Sequence, residues 1–465
     1  MRALLINVGH GHLSSDNHPR HNVAPMDLAQ CAAILERAGW RVELWDTVLE
    51  HDEEGPVIER RVQAKQPDLL ILRPLAHTAH TTQMLGRASR EHCGLRLAMG
   101  PSAPHLANDL LTPLNDSTAV DGVLIGEPES TLLELLPDLA KRALPDELPG
   151  LQLAPSMVPK GRPFIRDLDA LPMPSQHLLV GRGYQFRYPL DVHGSLNIGY
   201  VLSSRGCALG CIFCAPAERE TFGTQYRWRS PDLIVDELER IRELGGNAVY
   251  FIDDFFAFSP KRVAALCERL IERDVIIPWA AQVRAHGLSD ELLELMRRAG
   301  CSTLCFGAES GSDRVLGLLR KGVSVEKVRD QAARIRAAGI QLVGYFIVGT
   351  PGETKEERQD TYDFIEEIAP DVVQLHIFNV FPGAPAMDAF PELYAEEGTK
   401  FTGPRGRVTQ LEELDKERRA FYLRYYTSPR YVARTLKRRW RPLISNLPDE
   451  LSFAFRSARF FAGIR

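Results

Sequence analysis

Two runs of short apolar segments, each separated by helix-length amphipathic stretches, constrain the fold of this chain more than any other feature. In residues 1–145 the segments are ALLINV (3–8), RVELWD (41–46), DLLIL (68–72), LRLAMG (95–100) and DGVLIG (121–126). Met26 to Ala38 carries apolar residues at helical spacing, and Gly39 stands where such a helix stops. Strands joined through helices cannot pair as hairpins, so they predict a parallel sheet with helices on both faces. The second run spans 197–380, with strands predicted at 197–203, 248–252, 277–283, 302–308, 341–348 and 372–378. Helical stretches lie between them, as in a partial (βα)6 barrel or an open parallel sheet. In either arrangement, chemistry belongs at the carboxyl ends of the strands. Between the runs, 146–196 holds prolines at 149, 155, 159, 163, 172, 174 and 189 and keeps no period. A residue before proline is pushed out of the helical region, so this stretch reads as a linker. Residues 381–465 read as a mostly helical, basic region.

A chain of 465 residues has room for about three domains, or two and a tail. Its 44% hydrophobic and 25% charged residues exclude a disordered chain, a coiled coil and a collagen. No apolar run is long enough for a bilayer, and MRALLINVGHGH lacks the pattern of a signal peptide, so a cytoplasmic location is expected. The net charge of −5 gives no global reason to expect nucleic acid. From Arg424 to Arg465, however, ten basic residues stand against two acidic ones, with aromatics interleaved. Such a tail suits a helix packed against the second run, a peripheral contact with an anionic membrane surface, or nucleic acid.

Eight cysteines are too few for a disulfide framework. Three of them fall within eight residues, in Ser204-Arg-Gly-Cys207-Ala-Leu-Gly-Cys211-Ile-Phe-Cys214, a loop directly after the first strand of the second run. Thiolates suit iron–sulfur clusters or zinc. Such close spacing lets one loop wrap three corners of a cube and leaves one iron open, as a catalytic site requires. A zinc ribbon would need a second CxxC pair, which the chain lacks. Cys301 and Cys305 lie in or beside a predicted strand and read as core.

This CxxxCxxC loop, with Phe213 before the last cysteine, resembles the radical S-adenosylmethionine superfamily. The resemblance implies a 4Fe-4S cluster on Cys207, Cys211 and Cys214, whose open iron takes S-adenosylmethionine. One electron then cleaves the sulfonium to give a 5′-deoxyadenosyl radical. It also implies cofactor contacts at the strand ends. Asp253 and Asp254 stand where the family often has Gly-Gly-Glu; the plainer reading is a helix N-cap, since Ser259-Pro260 follows. Arg284 suits a carboxylate, or else a rim salt bridge. Phe306-Gly-Ala-Glu309-Ser310-Gly311 resembles the family's Gly-x-Glu-Ser-Gly segment. Lys321 follows as a carboxylate contact, and Gly349 opens a turn like the family's adenine-contacting one. His376, inside an apolar strand, reads as a packed core residue.

The first run resembles a flavodoxin-like (Rossmann-like) doubly wound domain. Placed before the barrel, it resembles the cobalamin-binding class of the superfamily, through Ala24-Pro-Met-Asp-Leu-Ala-Gln, Leu35-Glu-Arg-Ala-Gly-Trp40, Gly100-Pro-Ser-Ala-Pro and Gly126-Glu-Pro-Glu-Ser-Thr131. Gly100, Gly126 and Glu127 are the residues this likeness places nearest cobalamin. Asp16-Asn-His18-Pro-Arg-His21 has histidine where the family's cobalt-ligating motif has glycine. The likeness implies a methylase of an unactivated carbon in a natural-product or lipid precursor. It also implies an electron donor such as flavodoxin or ferredoxin. An oxidative cyclase or rearrangement enzyme is the nearest alternative. A non-catalytic iron–sulfur redox or sensor protein is the alternative of another class.

Overall fold

The computed structural model describes residues 1–9, 23–47, 49, 55–75, 78–184, 190, 192, 195–214, 221–285, 287–380, 384–390 and 408–445. The histidine loop containing His18 and His21 lies outside the described residues. Two compact units divide the described chain: 1–184 with 221–229, and 190–214 with 230–445.

In the first unit, β1 (Arg2–Val8), β2 (Arg41–Asp46), β3 (Leu69–Pro74), β4 (Leu95–Ala98), β5 (Gly122–Leu124) and β6 (Leu151–Gln152) form one sheet of order β2-β1-β3-β4-β5-β6. β1 to β5 run parallel. Leu4, Ile6 and Val8 face one layer, packed with Leu70 and Leu72, Ile58 and Val62 of one helix, and Ala107 and Leu110 of another. Their neighbours Ala3 and Leu5 are also buried, so both faces of β1 are covered. This is why the strand reads as a continuous apolar run rather than an alternating one. The order reverses between β1 and β3, a topological switch point. At the carboxyl end of these strands Asn7 donates to Asp46 at 2.8 Å, and Arg73 donates to Asn7 at 3.0 Å and to Asp27 at 2.7 Å.

The proline-rich stretch expected as a linker over 146–196 belongs, over 146–184, to the first unit. The reason is a sixth strand that proline spacing conceals: β6 pairs antiparallel with β5 and is buried. Further on, Arg162 donates to Glu134 at 2.7 Å and Gln30 donates to the Pro172 carbonyl at 2.7 Å, tying the stretch to two helices.

In the second unit six strands lie side by side in sequence order, all parallel: Ile198–Val201, Ala248–Phe251, Trp279–Arg284, Cys301–Glu309, Gln341–Val348 and Val372–Ile377. Helices Pro260–Glu272, Asp290–Arg298, Asp313–Leu318, Val325–Ala337 and Lys355–Ile368 each start from Ser259, Ser289, Ser312, Ser324 or Thr354. In all five the hydroxyl accepts a backbone N–H of the first turn, which removes one orphan donor per helix. Cys301 and Cys305 are completely buried, as core residues would be. His376 is not core: it is exposed at one position of the alternating last strand, its ring 6.4 Å from that of Tyr345.

That last strand ends the sheet, and an edge strand carries a row of unpaired backbone groups. Helices Val408–Thr427 and Pro429–Ser445 supply tyrosines for them. The Leu375 N–H donates to the Tyr422 hydroxyl at 2.7 Å and the Val373 N–H to that of Tyr426 at 2.9 Å. Tyr425 donates to the Pro370 carbonyl at 2.6 Å and Tyr431 to that of Asp371 at 3.1 Å. The described part of the basic tail is therefore packed against the sheet edge. No described helix is long and apolar enough to cross a membrane. Tyr422→Phe should strand the buried Leu375 amide and cost about 1–3 kcal/mol. The check is a lower urea midpoint together with faster hydrogen exchange at Leu375; unchanged values would show that the hydroxyl does not protect the edge.

Candidate active site

The cysteine loop leaves the first strand of the second unit and is anchored at its start. Ser203 and Ser204 are buried, and Gly206, at φ +90°, turns the chain toward Cys207 in a conformation that favours glycine. Cys211 is buried, Cys207 and Cys214 are half-buried, and no disulfide joins any of the eight cysteines. Beside Cys211, Ile212 packs with Val315, Leu319, Ile347 and Phe378, and its N–H donates to the Leu319 carbonyl at 3.2 Å. Burial pushes the Cys211 thiol up, while the nearby Lys321 ammonium pulls it down. Among the described residues no three His, Cys, Asp or Glu side chains converge as ligands of one ion. The thiols of a cubane each bind a separate iron, so its ligands are not required to converge on one point.

The fourth strand supplies a second element. Lys321 donates to Glu309 at 2.6 Å, and both side chains are buried. The ammonium also lies 5.5 Å from the centre of the Phe213 ring, within the cysteine loop. Glu309 is held at φ +65°, next to a shift in strand register between Gly307 and Glu309. A Cβ at Gly307 would meet the Glu309 carboxylate and the Lys321 ammonium, so a larger residue there would displace the pair. Arg284, at the end of the third strand, donates to the Lys321 carbonyl.

The fifth strand ends in the turn Gly349-Thr350-Pro351-Gly352-Glu353. Gly349 sits at φ +76°, and a Cβ there would meet Leu414 of the helix Val408–Thr427. Its N–H donates to Glu353 at 2.5 Å. The Glu353 side chain has 0% exposure, and burial pushes its carboxyl up to about 7 despite Arg358 at 3.8 Å. Arg358 itself pairs with Glu417 at 2.7 Å.

Several residues singled out from the sequence are engaged elsewhere. Asp253 is completely buried, and its carboxylate accepts from Ser203 and Ser204. Asp254 is exposed. Neither caps the next helix, a position that Ser259 fills. Ser310 is buried 3.0 Å from the Thr361 hydroxyl, bracing the fourth strand against helix Lys355–Ile368. In the first unit Glu127 forms a buried pair with Arg227 at 2.8 Å and accepts the Ile165 N–H at 2.7 Å. Gly100, at φ +103°, lies against Arg73 and Asp27, whereas Gly126, at φ +75°, faces open space. Sequence reasoning missed Arg262, Gly307 and Arg227. Gly307 had a visible signal in the Phe-Gly-Ala-Glu segment. The two arginines had none, because their partners are 59 and 100 positions away.

Whether the residues fit a polar cofactor can be tested on buried atoms without partners. At the carboxyl ends of the third and fifth strands, Arg284 Nε, Thr350 Oγ1 and Glu353 Oε1 are buried with no hydrogen-bond partner among the described residues. Buried polar groups are seldom left so, and a ligand with donor and acceptor groups would satisfy them.

Comparison with known proteins agrees with this arrangement. Residues 201–365 match the radical SAM superfamily. An uncharacterized methyltransferase of Pyrococcus horikoshii is 27% identical over 432 residues, covering 89% of this chain and 90% of that protein. Hopanoid C-3 methylase of Methylococcus capsulatus is 27% identical over 367 residues, covering 77% and 67%. The radical S-adenosylmethionine methyltransferase TsrM of Kitasatospora setae, solved with cobalamin and a 4Fe-4S cluster bound, shares the fold. Its TM-score is 0.64 at 18% identity, over 83% of this chain and 73% of that one. Residues 201–365 form a radical SAM domain, of the class that uses S-adenosylmethionine and a 4Fe-4S cluster.

The Glu353 carboxyl yields a pH test. Its folded value, about 7, lies above the ordinary 4.5, so the folded state binds the proton more tightly. Stability should fall as pH rises from the lower value through the upper one. Glu353→Gln removes that loss, so the variant should gain up to about 3 kcal/mol over the parent at pH 8 relative to pH 5. Urea unfolding at the two pH values measures it; an equal difference at both would refute the assignment.

Proposed function

We propose that this protein is a cobalamin-dependent radical S-adenosylmethionine methylase acting on an unactivated carbon of a small-molecule or lipid-like substrate. The observation that carries the reading is the three-cysteine loop at the carboxyl edge of a parallel sheet whose neighbouring strand ends hold buried polar atoms without partners among the described residues. Cys207, Cys211 and Cys214 would hold the cluster. Arg284, Thr350 and Glu353 have the capacity to bind the polar groups of S-adenosylmethionine, and Gly349 lets the backbone come close. Glu309 and Lys321 would fix the wall beside Phe213. When bound, the cluster and S-adenosylmethionine supply a one-electron cleavage that yields a radical able to take hydrogen from carbon. The buried apolar residues around Ile212 shield the Cys211 end of that loop.

We read the first unit as a flavodoxin-like cobalamin-binding domain and the second as a partial (βα)6 barrel. The switch point in the first sheet, with Gly126 facing open space, supports a large planar ligand there. Glu127 is engaged by Arg227 and by the Ile165 N–H. The methyltransferase names of the relatives support methyl transfer, and the hopanoid-acting one supports a lipid-like substrate. An anionic membrane surface fits helix Pro429–Ser445, where Val432 and Leu436 stand exposed beside Arg430 and Lys437. A small electron donor such as a flavodoxin or ferredoxin completes the cycle.

Anaerobic protein given a reductant and S-adenosylmethionine should release 5′-deoxyadenosine. Alanine at Cys207, Cys211 or Cys214 should abolish that release, and persistence in any variant contradicts the reading. After growth with cobalamin the protein should carry cobalt. Cleavage without cobalt would turn the assignment to oxidative cyclisation or rearrangement.

A further inference from the structure

We propose that Asp253 and Arg262 are positioning residues for the cysteine loop, clamping Ser203 between a buried carboxylate and a buried guanidinium. The clamp uses every polar group that Ser203 has. Its N–H donates to Asp253 Oδ2 at 3.2 Å and its hydroxyl to Oδ1 at 2.7 Å. Its carbonyl accepts from Arg262 Nη2 at 2.9 Å, and its hydroxyl accepts from the same nitrogen at 2.5 Å. Ser204 adds its hydroxyl to Asp253 Oδ1. Asp253 is completely buried and Arg262 nearly so. Arg262 also donates to the Phe256 carbonyl at 3.3 Å and lies 5.8 Å from the centre of that ring.

The cost of this arrangement is what makes it informative. Removing two charges from water is expensive, and apolar residues of the same volume would serve stability as well or better. Here the two charges meet through one serine instead of directly. That serine stands four positions before Cys207, the first of the three thiols, with the φ +90° turn of Gly206 between them. Both charges come from the neighbouring strand-helix unit: Asp253 follows the second strand, and Arg262 lies in the first turn of the helix Pro260–Glu272. Ser259 caps the same turn by accepting the Arg262 N–H, which fixes where the guanidinium starts. The loop therefore begins from one backbone conformation, set by side chains that hold it at Ser203 and Ser204. This assigns Asp253 to the chain itself and not to a cofactor. For its effect on the cluster the inference rests on the iron–sulfur reading; for its effect on the loop it does not.

The test compares Asp253→Asn and Arg262→Met with Ile335→Ala, a core truncation on another helix that lowers overall stability. Hydrogen exchange of the metal-free protein is read first. At matched overall stability, amides from Ser203 to Cys211 should exchange at least about fivefold faster in the clamp variants than in Ile335→Ala. Equal exchange would overturn the inference, whatever the cysteines bind. Iron release to a chelator from reconstituted protein is read second, and it should be several-fold faster in the clamp variants, with a shifted electron paramagnetic resonance spectrum. Loop opening with unchanged release and spectrum would overturn the link to the cluster. A parent protein that takes up no iron would instead sink the iron–sulfur reading and leave the exchange result standing.

Discussion

The buried ion pair between Lys321 and Glu309 is the interaction on which the carboxyl edge of the second sheet depends. Three strand ends meet in it: Glu309 closes the fourth, Arg284 from the third holds the Lys321 carbonyl, and Phe213 of the cysteine loop lies under the ammonium. Breaking a buried pair by removing one partner typically costs about 3–5 kcal/mol, because the other charge is left without compensation. Gly307 and the left-handed Glu309 are the local consequences, since the strand must bulge to turn the carboxylate inward. Burial leaves the Cys211 thiol raised, and there the two partners oppose one another, Lys321 pulling it down and Glu309 pushing it up.

Around that centre, the second unit solves a generic problem twice. Helix starts in a parallel α/β sheet leave orphan N–H groups, and five serine or threonine caps take them. An open sheet also leaves an orphan edge, and four tyrosines of the last two helices take that. The helix that carries Tyr422 and Tyr425 also carries Leu414 and Glu417, which reach the Gly349 turn and Arg358. Part of the edge protection and the support of the Gly349 turn thus fall to one helix.

Much of this was legible in the sequence because it is local. Strand positions follow from apolar runs, the cysteine loop from spacing, and core cysteines 301 and 305 from their place in a strand. What was not legible depends on contacts between distant positions. The proline-rich stretch joins the first unit through β6, whose two residues are too short to show a period. Asp253 could not be separated from a cofactor ligand without seeing Ser203 beside it, 50 positions away. Glu127 likewise needed Arg227, and His376 needed the burial pattern of an edge strand. Arg284 and the Gly349 turn were placed at strand ends by pattern, but their unpartnered buried atoms belong to the fold alone.

The central claim is that the three-cysteine loop holds a cluster with an iron open to S-adenosylmethionine. Electron paramagnetic resonance of the anaerobically reduced protein, with and without S-adenosylmethionine, tests it most directly when iron and zinc are counted in the same sample. The account expects about four irons per chain and a cluster signal that changes when S-adenosylmethionine is added. Zinc in place of iron, or an iron–sulfur signal indifferent to S-adenosylmethionine, would contradict it.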